Sequence, residues 1–138
     1  MADETPSKRT LSALTRYTTV SRQVFDGQDL ISLRALHLWF ERCSFVAADL
    51  RHATLDGCSF KLCDLRGAVL RGASLRGVSW AGCDLRDADL RDTDLAGARF
   101  GFVNTGAPPY GLTDVTGAQF DNAIVRGLET ERVIGWDR

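Results

Sequence analysis

The side chains equipped for chemistry are four cysteines, two histidines and a regularly spaced set of aspartates and arginines. Cys43, Cys58, Cys63 and Cys83 could supply two disulfides or part of a zinc site. The usual zinc signature includes a C-x-x-C pair, and none occurs; His37 and His52 lie elsewhere, fifteen residues apart. No nucleophile elbow, phosphate-binding glycine loop or HExxH signature is present. What the cysteines share is a separation in multiples of five. Aspartate and arginine follow the same rhythm, as in Asp49-Leu50-Arg51, Asp64-Leu65-Arg66 and Asp84-Leu85-Arg86.

A five-residue period fits neither a helix nor an alternating strand, and internal repeats decide a fold when they are present. Pentads centred on multiples of five hold register from residue 28 to residue 127, and fourteen of the twenty centres are Leu or Phe. Two residues before the centre, sixteen of twenty positions carry Ala, Cys, Thr or Val, and all four cysteines fall there. Two residues after it, eight of twenty are Gly, as a corner of the chain would favour.

Pentads such as Ala48-Asp49-Leu50-Arg51-His52 and Ala88-Asp89-Leu90-Arg91-Asp92 resemble those of the pentapeptide-repeat family, commonly written A(D/N)Lxx. The resemblance implies an all-β fold, a right-handed quadrilateral parallel β-helix in which four pentads make one square coil, here with about five coils. Residues twenty apart should then stack about 4.8 Å apart. Phe40, Phe60, Trp80, Phe100 and Phe120 would form an aromatic column, and Cys43, Cys63 and Cys83, continued by Val103 and Ala123, a small-residue column. A core filled in this way leaves no pocket for a cofactor, and no catalytic residue or metal ligand is expected. The cysteines read as apolar filler and the histidines as surface residues at corners.

The chain divides into three stretches. Residues 1–17 form a polar tail with a short capping helix; Leu11, Leu14, Tyr17 and Val20 recur every three residues, and the first nine residues are expected to be disordered. Residues 18–127 form the β-helix, with a loop-like interruption at 103–112, where Pro108 and Pro109 cannot donate to a ladder. Residues 128–138, with Val133, Ile134 and Trp136, either cap the last coil or join a second subunit.

Charge bears on partners. Residues 28–127 hold 12 acidic and 11 basic side chains, so a dedicated nucleic-acid interface is not expected. Residues 61–80 carry four positive charges and one negative, while residues 81–100 carry five Asp and three Arg, so neighbouring coils should neutralise each other. Arg51, Arg71 and Arg91 would stack as a column of like charge that needs carboxylates or an anionic ligand. Asp84, Asp87, Asp89, Asp92 and Asp94 form a candidate acidic strip for a basic partner, and Pro108, Pro109 and Tyr110 offer a second contact on the loop. No run of about 18 apolar residues suggests a membrane span, and the polar start lacks a secretory h-region; a cytoplasmic protein is expected.

The segments Phe25-Asp26-Gly27-Gln28-Asp29-Leu30 and Phe45-Val46-Ala47-Ala48-Asp49-Leu50 look like the opening coils of quinolone-resistance and toxin-immunity members of that family. Those members bind DNA gyrase or topoisomerase IV with a rod similar to a DNA duplex in width and negative potential. The resemblance implies a non-enzymatic protein-binding module, with a type II topoisomerase as its most concrete partner. Two alternatives stand beside it: an enzyme or accessory protein of small-molecule biosynthesis using the 103–112 loop or an end surface, and an assembly scaffold.

Overall fold

The structure, a computed structural model, describes residues 8–136; the expected disorder of the first seven residues lies outside that range. One wall is a parallel sheet of six short strands in sequence order: β1 (Thr19–Ser21), β2 (Trp39–Glu41), β3 (Ser59–Lys61), β4 (Ser79–Ala81), β5 (Arg99–Gly101) and β6 (Glu129–Thr130). We call it wall one. Walls two, three and four are held by single parallel bridges, Ser44↔Asp64, Asp49↔Val69 and Thr54↔Ser74 among them, so the chain is a four-walled parallel β-solenoid.

The five-residue period follows from how each pentad is used. Centres and small positions point inward, and from Leu38 to Phe100 every one of them is buried. The residue two after each centre turns the corner in the left-handed region: Gly57, Gly67 and Gly77 at φ of 71°, 65° and 66°, and Asp87 and Asp92 at 61° and 60°. An L-residue pays about 1–2 kcal/mol there, which explains the concentration of glycine at this position.

Stacking by twenty holds through β5, with Phe40↔Phe60↔Trp80↔Phe100 aligned on wall one. It then changes. β5 pairs with β6 thirty residues on, Phe100 opposite Thr130, and the other walls shift likewise: Asp84↔Asp114, Asp89↔Gln119 and Asp94↔Ile124. Phe120 therefore stands on wall three beyond Leu90, not in the wall-one aromatic column, although its edge still meets the Phe100 ring at 6.2 Å. The cysteine column continues into Thr113 instead of Val103, and Ala123 lies on wall four beyond Thr93. Four coils run uninterrupted from residue 19 to residue 98, fewer than the five expected; the next turn carries the excursion.

Residues 103–112 leave the coil, closed at the base by an antiparallel bridge between Phe102 and Leu112. They do not stand away from the rod but fold back along a corner. A Cβ on Gly82 would lie 2.9 Å from the Gly111 carbonyl oxygen, and Arg42 donates to the Tyr110 hydroxyl at 3.2 Å. At the point of re-entry the buried Thr113 hydroxyl accepts from the Cys83 N–H at 3.2 Å and donates toward the Gly101 carbonyl at 2.7 Å. Deleting residues 103–112 should leave the solenoid folded, because Thr113 already occupies the coil position that follows Phe102. The expected result is an unchanged far-ultraviolet circular dichroism spectrum and a Tm equal to or above that of the full chain, since shortening a loop lowers its closure entropy.

The ends are covered differently. At the N-terminal end the short helix α1 (Lys8–Ser12) buries Leu11, while Lys8 donates to the Ile31 carbonyl at 3.0 Å. The helix is earlier and shorter than the apolar spacing suggests: Lys8 and Arg9 belong to it, and Val20 lies in β1. At the other end Trp136 folds over the core, 5.9 Å from the Phe100 ring and edge-on to Phe120 at 5.1 Å.

Candidate functional site

Aspartate before the centre has a structural task. In the pentads of walls two to four the N–H one residue after the centre finds no backbone carbonyl, and a donor left unpaired is costly. Asp49, Asp64, Asp84, Asp89 and Asp94 accept that N–H from the residue two ahead, at 3.2, 3.1, 3.1, 3.1 and 3.0 Å. This is the local side-chain turn that aspartate favours. Where the aspartate falls one position after the centre it serves the next coil instead: Asp26 accepts from the Val46 N–H and Asp56 from the Arg76 N–H.

The same carboxylates hold arginine. Arg51, Arg66, Arg86 and Arg91 turn back onto Asp49, Asp64, Asp84 and Asp89 at 2.8, 2.7, 2.6 and 2.8 Å. Arg71, whose pentad has Val69 in place of Asp, reaches the next coil and meets Asp92 at 3.3 Å. Arg66–Asp84 and Arg76–Asp94 also cross between the coils of opposite charge, at 3.8 and 3.7 Å. The Arg51, Arg71, Arg91 column is thus neutralised member by member.

The five acidic residues do not form one strip. Asp84 and Asp87 lie on wall two and its corner, Asp89 and Asp92 on wall three and its corner, and Asp94 on wall four. All but Asp87 make an ion pair with arginine among the described residues. Arg51 beside Asp49 and Arg91 beside Asp89 hold those carboxyls below the ordinary 3.8. At Asp84 burial pulls upward, but Arg86 and Arg66 outweigh it and the net shift is downward.

A carboxyl whose folded pKa is depressed contributes stability that is complete above the unfolded value and is lost as pH falls through the folded one. The Tm should therefore stay level down to about pH 5 and fall below about pH 4. Replacing Asp49, Asp84 and Asp89 together with Asn keeps the turn acceptors and should flatten that acid limb, as read by circular dichroism melts across pH.

The remaining chemical groups are also structural. All four cysteines are free and buried, with burial pushing the Cys58 thiol up to about 11. Each donates to a backbone carbonyl, Cys58 to Ala35 at 3.0 Å and Cys83 to Phe60 at 3.2 Å. The histidines sit at corners with their rings lying over Gly57 and Gly72 of the following coil, where any Cβ would collide with them. Pro108, Pro109 and Tyr110 are exposed on the excursion, and the cavity beneath them is about 30 Å³, room for roughly one water.

The feature that sequence reasoning missed is wall one. Among the described residues, walls two to four carry all but one of the Asp–Arg and Glu–Arg pairs, and wall one carries Arg99–Glu131, at 3.5 Å. Its outer face mixes the small residues Ser59, Ser79 and Ala81 with Glu41, Lys61 and Arg99, next to an exposed Trp39. Tyr17 stands 5.7 Å from Trp39 and 6.1 Å from His37. Shallow cavities of about 160 Å³ at Trp39 and about 240 Å³ at Arg99 open on this face. The signal in the sequence was the absence of Asp-x-Arg from the pentads centred on 40, 60, 80 and 100.

Geometry of this kind defines a class, the four-walled β-solenoid with a filled interior. A family model described as pentapeptide repeat region matches residues 38–107, just over half of the chain, and the chain belongs to the pentapeptide-repeat family. Among solved structures it is similar to the pentapeptide repeat protein Rfr23 from the cyanobacterium Cyanothece 51142. The identity is 18%, the match covers 88% of this chain and 86% of that one, and the TM-score is 0.66. It also matches HetL, involved in heterocyst differentiation regulation in Nostoc sp. strain PCC 7120, at 17% identity, 80% and 84% coverage and a TM-score of 0.35. Trypsin-treated QnrB1, a plasmid-mediated fluoroquinolone resistance protein, matches at 18% identity, 85% and 73% coverage and a TM-score of 0.39. No curated protein sequence matches the chain. Among the described residues no helix is long and apolar enough to cross a membrane.

Proposed function

We propose that this protein is a non-enzymatic, cytoplasmic protein-binding module that engages its partner through the walls of the rod. The observation that carries the reading is wall one, a six-stranded face with the exposed Trp39 beside Tyr17 and, among the described residues, the one ion pair Arg99–Glu131. Such a face loses little by desolvation, whereas the paired carboxylates of the other walls would have to be stripped of water. A type II topoisomerase is the first partner to test, because the opening coils resemble those of gyrase-binding members of the family. Against duplex mimicry stands the neutralised acidic coil, which lacks the sustained negative potential that a basic DNA channel rewards. Titration into a gyrase supercoiling assay, with and without a quinolone, tests this form. Inhibition or drug protection at micromolar protein, weakened by Trp39→Ala on wall one, supports it; no effect on either readout sinks it.

Self-association through the C-terminal end belongs to the same proposal, since Ile124 and Val125 stay exposed there. Sedimentation velocity of the full chain should show a dimer that Ile124→Asp dissociates, and a monomer at all concentrations would refute it.

A further inference from the structure

The arginine ladders divide the rod in two. Every arginine from Arg51 to Arg99 has a carboxylate within 4 Å. Between residues 8 and 42 the chain carries six Lys or Arg against three Asp or Glu, and no ion pair joins any of them among the described residues. Two of these cations, Arg22 and Arg42, occupy successive corners at φ of 55° each, one coil apart. Like charges at that spacing repel by roughly 0.8 kcal/mol even in water. The only side-chain partner of Arg42 among the described residues is the neutral Tyr110 hydroxyl, at 3.2 Å.

These unmatched cations border one particular place. The Arg22/Arg42 corner flanks wall one on one side, and the Tyr17, His37 and Trp39 rings flank it on the other. Between them lies the cavity of about 160 Å³ lined by Thr19, Trp39, Phe40, Glu41, Ser59 and Lys61. Tyr17 is 57% exposed and Trp39 48%, an unusual exposure for large aromatic side chains. An exposed aromatic beside unpaired guanidinium groups is the residue chemistry on which protein interfaces concentrate their binding energy.

We propose that the N-terminal half of wall one is the docking site for an acidic protein segment that carries an aromatic or aliphatic anchor. The anchor enters the cavity against Trp39, and flanking carboxylates meet Arg22, Arg42 and Lys61. The inference rests on the protein-binding reading above and specifies where on the rod, and with what chemistry, binding occurs. Complementary charge selects the occupant. Three cations and the single Glu41 leave the rim positive, and a carboxylate-bearing segment neutralises the Arg22/Arg42 pair. A nucleic-acid strand fits less well. One exposed indole lining the cavity is not the succession of stacking platforms that a single strand uses.

The test uses the full chain and a fluorescein-labelled heptapeptide, Asp-Glu-Asp-Phe-Asp-Glu-Asp, followed by fluorescence anisotropy at low salt. Its lysine-substituted counterpart and a short oligothymidylate serve as competing probes. Saturable binding of the acidic peptide is expected, weakened about tenfold or more by Trp39→Ala and by the Arg22→Glu/Arg42→Glu pair. Joint replacement of Asp84, Asp89 and Asp94 with Asn should leave it unchanged. All the residues altered on wall one are exposed, so thermal melts of the variants should match the parent, which separates lost binding from lost folding. Absence of saturable binding overturns the proposal, as do equal affinities in parent and wall-one variants. Tighter binding of the oligothymidylate than of the peptide overturns it in favour of a nucleic-acid site. A negative supercoiling assay leaves this site standing for another acidic partner, and a negative peptide titration beside a positive supercoiling assay overturns this site while the topoisomerase reading stands.

Discussion

Leu70→Asp should unfold the rod. Leu70 is fully buried on wall three, stacked between Leu50 and Leu90 by backbone hydrogen bonds at 2.7 Å in both directions. The substitution removes an aliphatic side chain, at about 2–5 kcal/mol, and places a carboxyl where no cation can reach it, at several kcal/mol more. The sum approaches the whole stability of an ordinary domain, about 5–15 kcal/mol. Wall three at this height has no alternative position for the side chain, because a pentad cannot rotate without losing its four neighbours. Loss of the cooperative thermal transition and of the β-type circular dichroism spectrum is expected. A variant that melts within about 5 °C of the parent, a shift of only one or two kcal/mol, would contradict the assigned register.

Phe60→Ala is the second large effect, and it tests the column instead of the single pentad. The Phe60 ring stacks on Phe40 at 5.0 Å and on Trp80 at 4.6 Å, and it meets Phe45 edge-on at 5.8 Å. Truncation opens a hole between two rings that the stacked coils hold apart at strand spacing, so the walls cannot close over it. The expected cost is about 3–5 kcal/mol, or a Tm lower by about 10–20 °C. Phe120→Ala should cost much less, because Phe120 is 8% exposed at the end of the core, where its ring meets Phe100 and Trp136 edge-on. Equal losses at the two positions would mean that Phe120 lies in the wall-one column after all.

The architecture was legible because the motif is local. The alternation of small residue, centre and corner assigns every side chain between 38 and 100 to the inside or the outside without reference to any other coil. Candidate contacts were less legible, for a reason that Asp84 and Asp89 show. A row of carboxylates looks like a binding strip in sequence, yet each one closes a turn on the N–H two residues ahead and draws an arginine onto itself. The motif that reveals the fold is thus the motif that neutralises the surface. Wall one is less legible for the converse reason: its pentads lack the Asp-x-Arg pair, so Glu41, Lys61 and Arg99 are spaced among Ser59, Ser79 and Ala81 without a repeating pattern.

From the sequence alone came the five-residue period, the four-sided coil and the filling of its interior, because these depend on side-chain size and backbone angle within a single pentad. Tertiary structure alone decided which coil stacks on which beyond Phe102. An excursion of ten residues spans two pentads, so the period passes through it unchanged whether residues 103–112 lie in the coil or outside it. Pairing between backbone edges settles the matter, and it joins Asp84 to Asp114 and Phe100 to Thr130. Interactions between residues thirty apart have no local signature, and for that reason the positions of Phe120, Thr113 and the excursion itself emerged only from the folded chain.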